Sequence, residues 1–216
     1  MTGPGPGRTD AARWPVHSQP LVEADADGDP LVQFGRWFEA ASAVVRLPEA
    51  MALATATASG RPSLRMVLCK GFDADGFVFT TDFGSRKAQE LAANPWAAVV
   101  FHWDPLGRQV RLEGPVEKLG QEASDAAFAA RARGAQISAT ASNQSRPIAS
   151  RRVLDEKVAA VATRFDGRPV PRPEDWGGYR LRPACYEFWQ SRDDRLHDRL
   201  RYVRKGNGWR IERLQP

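Results

Sequence analysis

Apolar residues recur at helical spacing in four parts of the chain. Asp29-Pro30 precedes the clearest of them, and after it the apolar positions fall three or four residues apart. These positions are Leu31, Phe34, Trp37, Phe38 and Ala41. The segments 85–93, 121–133 and 153–165 show similar but weaker patterns, and Ser85 is expected as the N-cap of the first of these. The sequence therefore predicts four helices.

Most of the remaining chain consists of short segments with strand-like patterns, bounded by turn residues. In the segment 64–71, Leu64, Met66 and Leu68 alternate with Arg65, Val67 and Cys69. Strands are predicted at 51–57, 64–71, 77–81, 96–103, 108–119, 179–190, 200–204 and 208–214. The turn at 73–76 is expected to join the second and third of them as a hairpin. Strands and helices do not alternate regularly, and there is no Gly-x-Gly-x-x-Gly motif, so a doubly wound parallel sheet is disfavoured. The pattern predicts an α+β fold with a mostly antiparallel β-barrel of Greek-key type and helices around it.

Composition separates an N-terminal segment from the rest of the chain. Residues 1–28 are rich in Gly, Pro, Asp and Ala, which predicts a flexible tail before a single domain over 29–216. No apolar run approaches the roughly 20 residues of a membrane span, and the first thirty residues lack the pattern of a secretory signal. Cys69 and Cys185 are interpreted as reduced thiols, so a cytoplasmic protein is expected.

The net charge of +5 does not by itself identify a ligand. Basic residues are interleaved with acidic ones along the chain, whereas nucleic-acid-binding proteins more often have clustered basic runs or a recognisable module. A small anionic ligand that needs several cations explains the excess equally well. The three histidines are isolated in sequence, so no metal site is predicted.

Basic and hydroxyl residues cluster at the predicted start of the second helix. Gly84-Ser85-Arg86-Lys87 would offer backbone N–H groups, a hydroxyl and two cations to a phosphate, but a capped surface helix explains the same residues. Arg65 and Lys70 precede this segment at an odd spacing, which puts them on opposite faces of a regular strand. Either a bulge intervenes, Lys70 lies beyond the strand end, or the two contact different ligand groups.

Further polar clusters lie elsewhere in the chain. If 195–199 is extended, Arg195, His197 and Arg199 share one face. That face is either a ligand site or a solvated edge strand paired with neighbouring aspartates, and the charge run alone favours the second. Gln109 is expected opposite the apolar face of its strand, and the loop 143–146 offers amide and hydroxyl donors.

Taken in order, these segments resemble the signature of the pyridoxamine 5′-phosphate oxidase family. The resemblance extends from about Pro30 to Pro216. The matching motifs are Arg65-Met-Val-Leu-Cys-Lys70, Thr80-Thr81, Gly84-Ser-Arg-Lys-Ala88, Arg108-Gln109, Gln144-Ser145, Trp176-Gly-Gly-Tyr179, Glu187-Phe-Trp-Gln190 and Arg195-Leu-His-Asp-Arg199. Eight motifs in one order are far more specific than any one alone.

The resemblance implies a split β-barrel homodimer that binds FMN between its subunits. The residues implied in cofactor binding are Arg65, Lys70, Thr80, Thr81, Arg86, Lys87, Gln109, Gln144, Ser145, Trp189 and Arg199. Those implied in substrate binding are Lys70, Arg131, Arg195 and His197, the last two with the catalytic role. In the family, hydride passes from the substrate to flavin N5, and dioxygen then reoxidises the flavin. The implied reaction converts pyridoxamine or pyridoxine 5′-phosphate to pyridoxal 5′-phosphate.

One segment departs from the family pattern. The family has a Tyr, an Arg and often a Ser around positions 127, 131 and 135, and only Arg131 is retained beside Ala127 and Ala135. Two lost hydrogen bonds to a charged group are worth about 1.5–3 kcal/mol each. The alternative is therefore a related oxidase of secondary metabolism, of the phenazine-pathway type, acting on an unphosphorylated aromatic substrate. A non-catalytic flavin-binding protein and, last, a nucleic-acid-binding barrel are the other hypotheses.

Overall fold

The computed structural model describes residues 19–216, except for the side chain of Asp194. These residues form five α-helices and ten β-strands, which confirms the predicted α+β class. The helices are α1 (Pro30–Ser42), α2 (Arg86–Ala93), α3 (Gln121–Ala129), α4 (Arg133–Ala141) and α5 (Arg151–Arg164). The strands are β1 (Ala50–Ala56), β2 (Pro62–Leu68), β3 (Gly71–Asp73), β4 (Gly76–Asp82), β5 (Trp96–Trp103), β6 (Arg108–Lys118), β7 (Trp176–Leu181), β8 (Cys185–Gln190), β9 (Asp198–Lys205) and β10 (Gly208–Arg213). No helix among them is both long and apolar enough to span a membrane.

The chain divides into two compact units, which alternate along the sequence. The first comprises the described residues up to Pro48, His102–Val110 and Glu187–Pro216. The second comprises Glu49–Phe101 and Arg111–Tyr186. The pairs β1–β2, β1–β5, β3–β4, β4–β7, β6–β7 and β9–β10 are all antiparallel, as predicted.

The first unit is built around α1 and the C-terminal strands. Asp29 caps α1 by accepting from the N–H of Leu31, and Pro30 occupies the first turn, where its missing N–H costs nothing. The apolar face of α1 then contacts aromatic rings: Trp37 meets Phe188 edge to face at 5.3 Å. This packing fixes the position of β8, which ends in the residues that precede the predicted catalytic segment.

Part of the predicted tail contacts this unit. Residues 1–18 lie outside the described residues. Beyond them, Leu21 is buried, and Arg213 of β10 forms an ion pair with Glu23 at 2.8 Å. The hydroxyl of Tyr202 donates to the carbonyl of Asp27.

The second unit has its core between β1, β4 and β5. Met51, Leu53, Phe77, Phe79 and Phe101 are fully buried there. Every second residue of β1 is buried, because successive side chains of a strand point to opposite faces. The opposite happens on β2, where Leu64, Met66 and Leu68 are exposed although they are apolar. We call these three residues the β2 apolar strip.

Four local predictions were wrong. The strand predicted at 179–190 is two strands, β7 and β8, with a break at Pro183, which has no N–H to donate to a ladder. Helix 121–133 ends at Ala129, and a separate helix, α4, follows it; the Ala-rich composition of this region hides the break. Residues 71–73 form a strand of their own, so the hairpin joins β3 to β4, while β2 pairs with β1. Residues 195–199 are not one extended segment, because Arg195 ends a 3-10 turn with φ 63° and β9 begins only at Asp198.

Gly114 of β6 provides a test of the packing in the second unit. A Cβ at this position would lie 2.0 Å from the carbonyl oxygen of Arg182, a backbone atom that cannot move aside. Gly114→Ala should therefore lower the free energy of unfolding by about 2 kcal/mol or more, measured by urea denaturation. Gly134→Ala is the control, since α4 has open space there and the change should be neutral or stabilising. Equal stability of the two variants would contradict this account.

Candidate functional site

A cavity of about 630 Å³ lies in the second unit, beside β2, β4 and the segment that joins α3 to α4. It is lined by Met66, Val67, Leu68, Lys70, Thr80, Thr81, Lys87, Ala127, Ala130, Arg131, Ala132, Ala135 and Gln144. Three of these residues are cations and none is Asp or Glu. The cavity therefore favours an anionic ligand that also has an apolar surface.

Lys87 is the most deeply buried cation of this cavity. Its side chain on α2 is only 6% exposed. Its ammonium donates to the hydroxyl oxygens of Thr81 (3.0 Å) and Ser85 (3.4 Å) and to the amide oxygen of Gln144. None of the carboxylates that the structure describes forms an ion pair with it. Burial, and next the charge of Arg65, lower the pKa of Lys87, and the charge of Asp82 offsets this only in part. A buried ammonium with only neutral partners is costly unless an anion completes its surroundings.

A second cavity, of about 390 Å³, shares Met66, Lys87 and Gln144 with the first. It is also lined by Arg65, Arg86 and Ser145. Ser145 has φ 70°, a left-handed conformation that is uncommon for a residue other than Gly, Asn or Asp. Such backbone is found where the surroundings hold it in place, often at ligand sites. The N–H of the neighbouring Gln144 donates to Asp82 at 3.0 Å, which ties this loop to the end of β4.

The two arginines of this second cavity are held by Glu90, a residue that the sequence reasoning missed. One carboxylate oxygen of Glu90 accepts from Arg86 Nε at 2.9 Å, and the other lies 3.4 Å from Arg65 Nη2. The Arg86-to-Glu90 spacing of four residues within a predicted helix was the available signal. Ser85, predicted as the N-cap, occupies that position, but its hydroxyl makes no capping hydrogen bond.

Arg131 is the cation at the α3–α4 side of the larger cavity. Its Nε is buried and has no hydrogen-bond partner in the described part of the chain, and one Nη donates to the carbonyl of Ala135 at 3.2 Å. The guanidinium lies 4.9 Å from the ring centroid of Trp176. Burial lowers the pKa of Arg131. Lys70 lies beyond the end of β2, which is one of the three alternatives raised by its odd spacing from Arg65.

In the first unit, His197 lies against Trp189, with ring centroids 4.5 Å apart. The backbone N–H of Arg192 donates to His197 Nδ1 at 3.1 Å. Desolvation, and next the charge of Arg195, lower the pKa of His197. Because Nδ1 accepts a hydrogen bond, neutral His197 has its proton on Nε2 and presents that atom as a donor.

Arg199 and Gln109 complete the predicted residues of this unit. Arg199 forms a fork with one carboxylate oxygen of Glu187, at 2.8 Å from both Nε and Nη2, and also donates to the carbonyl of Gln215. Glu187 is 7% exposed, so this is a largely buried ion pair. Gln109 is half-buried on β6, opposite the buried Val110 as predicted.

The predicted site residues thus fall into two groups, one in each unit. The second unit brings together Arg65, Lys70, Thr80, Thr81, Arg86, Lys87, Arg131, Gln144 and Ser145. The first unit holds Gln109, Trp189, Arg195, His197 and Arg199. No group of three or more His, Cys, Asp or Glu in residues 19–216 is arranged to bind a metal ion.

Comparison with protein families identifies the chain. Residues 38–165 match the family described as pyridoxamine 5′-phosphate oxidase, and residues 176–216 match the pyridoxine 5′-phosphate oxidase C-terminal dimerisation region. The chain belongs to the pyridoxamine 5′-phosphate oxidase family. As a member of this family it is an oxidoreductase.

Members of the pyridoxamine 5′-phosphate oxidase family resemble the chain over almost its whole length. The pyridoxine/pyridoxamine 5′-phosphate oxidase of Rubrobacter xylanophilus is 57% identical over 197 residues, covering 91% of each chain. The enzyme of the same name from Acaryochloris marina is 49% identical and covers 94% of each chain.

Solved structures confirm the split-barrel fold. PhzG from Burkholderia lata 383, in complex with tetrahydrophenazine-1-carboxylic acid, has a TM-score of 0.86 and 36% identity, covering 93% of this chain and 100% of that one. A pyridoxamine 5′-phosphate oxidase-related, FMN-binding protein from Nostoc punctiforme has a TM-score of 0.71 and 19% identity, covering 87% of this chain and 98% of that one.

The lowered pKa of Lys87 predicts how anion binding depends on pH. Binding needs the protonated ammonium, so affinity is full below this pKa and falls as pH rises through it, in a window below the ordinary lysine range. The measurement is the rise in Tm that sulfate produces at each pH. In Lys87→Arg the stabilisation should persist to higher pH, because the guanidinium stays charged. A wild-type response that is flat throughout the alkaline range would contradict the assignment.

Proposed function

We propose that this protein is an FMN-dependent oxidase that converts pyridoxamine or pyridoxine 5′-phosphate to pyridoxal 5′-phosphate, with dioxygen as the acceptor. The observation that supports this most strongly is the buried ammonium of Lys87, which has only neutral partners, in a cavity without acidic lining residues. The names of the relatives from Rubrobacter xylanophilus and Acaryochloris marina agree with this reaction.

The residues of the second unit fit the phosphate and ring of FMN. In this proposal Lys87, Arg65, Arg86 and Ser145 hold the phosphate, because they line the smaller cavity with three cations and a hydroxyl. Thr80, Thr81, Gln144 and the nearby Lys70 line the larger cavity and face the rest of the flavin. FMN held by these residues would supply a two-electron acceptor, with dioxygen as the final acceptor and hydrogen peroxide as its product; for pyridoxamine 5′-phosphate, water would be consumed and ammonia released.

Arg131 and Lys70 are the proposed ligands of the substrate phosphate. Both line the larger cavity, and Arg131 has a buried Nε for which the described residues provide no acceptor. The stacking of its guanidinium on Trp176 fixes the plane of the fork. A fixed fork loses less freedom when it binds an anion than a mobile side chain does.

Arg195 and His197 are the proposed catalytic residues. The Nε2–H of His197 is available to donate to an acceptor atom of the substrate, while Trp189 limits the motion of the imidazole. Arg195 has φ 63°, and this uncommon backbone directs the chain through the turn into β9. In the proposal these two residues orient the substrate, and Gln109, Trp189 and Arg199 contact the flavin.

We further propose that the active form is a homodimer with FMN bound between the subunits. The match of residues 176–216 to the family's dimerisation region supports it. The β2 apolar strip also supports it, since Leu64 is 69% exposed and Met66 64% exposed next to both cavities. Exposed apolar surface beside a ligand site is typical of an interface.

A phenazine-pathway type of oxidase is the second candidate. It is favoured by the four alanines that line the Arg131 end of the cavity, at 127, 130, 132 and 135, where they offer no hydroxyl to a phosphate. The similarity to PhzG, which was solved with a carboxylic acid, agrees with this alternative. The higher identity to the vitamin B6 enzymes favours the first candidate.

Variants of the catalytic residues test the proposal. Arg195→Ala and His197→Ala should keep FMN bound but lower kcat/KM for pyridoxine 5′-phosphate on the order of 100-fold, because the substrate loses its orientation. Flavin absorbance of the purified variants and peroxide release give the two measurements.

His197→Gln is the matched control, since its amide N–H can replace the Nε2–H donor, and it should lose less activity than His197→Ala. Loss of flavin from the alanine variants, or unchanged kcat/KM, would contradict the assigned roles.

A further inference from the structure

Glu90 is a carboxylate inside a cluster of cations, and nothing in the proposed function yet assigns it a role. It is 5% exposed, and it contacts both arginines that line the smaller cavity. The negative charge of an acidic side chain weakens the binding of an anion beside it, so a carboxylate in an anion site needs an explanation. We propose that Glu90 is a positioning residue, which holds Arg65 in the orientation that receives the FMN phosphate. This inference rests on the proposed function, because it takes the smaller cavity to be the phosphate site.

The direction of the hydrogen bonds shows how Glu90 acts on Arg65. One carboxylate oxygen of Glu90 accepts from the hydroxyls of Thr55 and Ser63, each at 2.5 Å. A carboxylate has no proton to give, so both hydroxyls must donate to it. Their lone pairs are then left to accept from Arg65, whose Nη1 lies 2.6 Å from Thr55 and whose Nη2 bonds to Ser63. Glu90 therefore orients the guanidinium twice, directly and through two hydroxyls.

Ionisation of Glu90 is needed for this arrangement. Burial opposes it, but the hydrogen bonds from Ser63, Thr55 and Arg86 outweigh burial and hold the pKa of the carboxyl at about 2. Glu90 is thus an acceptor throughout the physiological range. All four hydrogen-bond partners that the described residues provide to the Glu90 carboxylate donate to it. A protonated carboxyl or an amide at this position would bring its own N–H or O–H against one of these donors.

Arg65 needs a carboxylate partner because its charge is unfavourable in these surroundings. Burial disfavours the charge of Arg65 most, and the charges of Arg86 and Lys87, which line the same cavity, add to this. Glu90 offsets this repulsion, because it contacts Arg65 and Arg86 together. Arg65 is also held by the carbonyl of Leu53, at 3.1 Å from Nη1. The contacts on Nη1 and Nη2 turn one edge of the guanidinium toward β1, while the side chain still lines the cavity.

The test compares FMN with riboflavin, which has the same ring but no phosphate. Dissociation constants are measured by quenching of flavin fluorescence on the flavin-free protein. Glu90→Gln should weaken FMN binding on the order of tenfold, as expected when a charge-assisted hydrogen bond is lost, and should leave riboflavin binding unchanged. In an Arg65→Gln background, Glu90→Gln should have no further effect, because the residue that it positions is absent.

Asp125→Asn is the control variant. It removes another carboxylate that pairs with an arginine of the same unit, Arg172, at 2.5 Å, and it should change neither affinity. An equal loss of FMN and riboflavin affinity in Glu90→Gln would mean a merely structural role and would overturn the inference. Tighter FMN binding would overturn it too, since Glu90 would then act only as a counter-charge. If the wild-type protein does not prefer FMN to riboflavin, the phosphate site itself is wrong, and the proposed function fails together with the inference.

Discussion

The buried ammonium of Lys87 is the constraint on which the arrangement of the second unit depends. Desolvation of a lysine costs several kcal/mol unless the charge is compensated, and the hydrogen-bond partners of Lys87 are only hydroxyl and amide oxygens. The core of β1, β4 and β5 must therefore stabilise the unit enough to tolerate this cation. Binding of an anion beside the Lys87 ammonium then offsets the desolvation cost, so the free energy of unfolding should rise when the ligand binds.

The two buried glutamates near the predicted site residues, Glu90 and Glu187, both pair with arginines. Glu90 holds Arg65 and Arg86, and Glu187 holds Arg199, so these arginines have carboxylate partners within the chain. Lys87 and Arg131 have no such partner among residues 19–216, and both line the larger cavity. The carboxylate partners hold Arg65, Arg86 and Arg199 in fixed orientations, whereas the charges of Lys87 and Arg131 are not balanced by a paired carboxylate among the described residues. This distribution favours a ligand with two anionic regions, or two ligands with one anionic group each, as FMN and a phosphorylated substrate would provide.

The sequence predicted the fold well where the pattern was local. The apolar spacing of α1 depends on residues three and four positions apart and on one buried face, which the sequence shows directly. The break between α3 and α4 was not visible, because alanine suits a helix on either side of it. The 3-10 turn at Arg195 was missed for another reason: a non-glycine residue with positive φ has no sequence signal, since its surroundings impose it. The motif order indicated most candidate site residues. The contacts of Glu90 with Arg65 and of Glu187 with Arg199 became apparent only from the structure, because each joins two elements.

If Arg131 and Lys70 receive the phosphate of a vitamin B6 substrate while FMN is bound, reduction of the flavin must depend on that phosphate. Anaerobic stopped-flow reduction of the bound flavin tests it most directly, with pyridoxamine 5′-phosphate and pyridoxamine compared at equal concentrations. We predict rapid loss of flavin absorbance with the phosphorylated compound at micromolar concentration and slow loss without the phosphate. Equal rates for the two compounds, or no reduction of a fully loaded flavin by either, would contradict it.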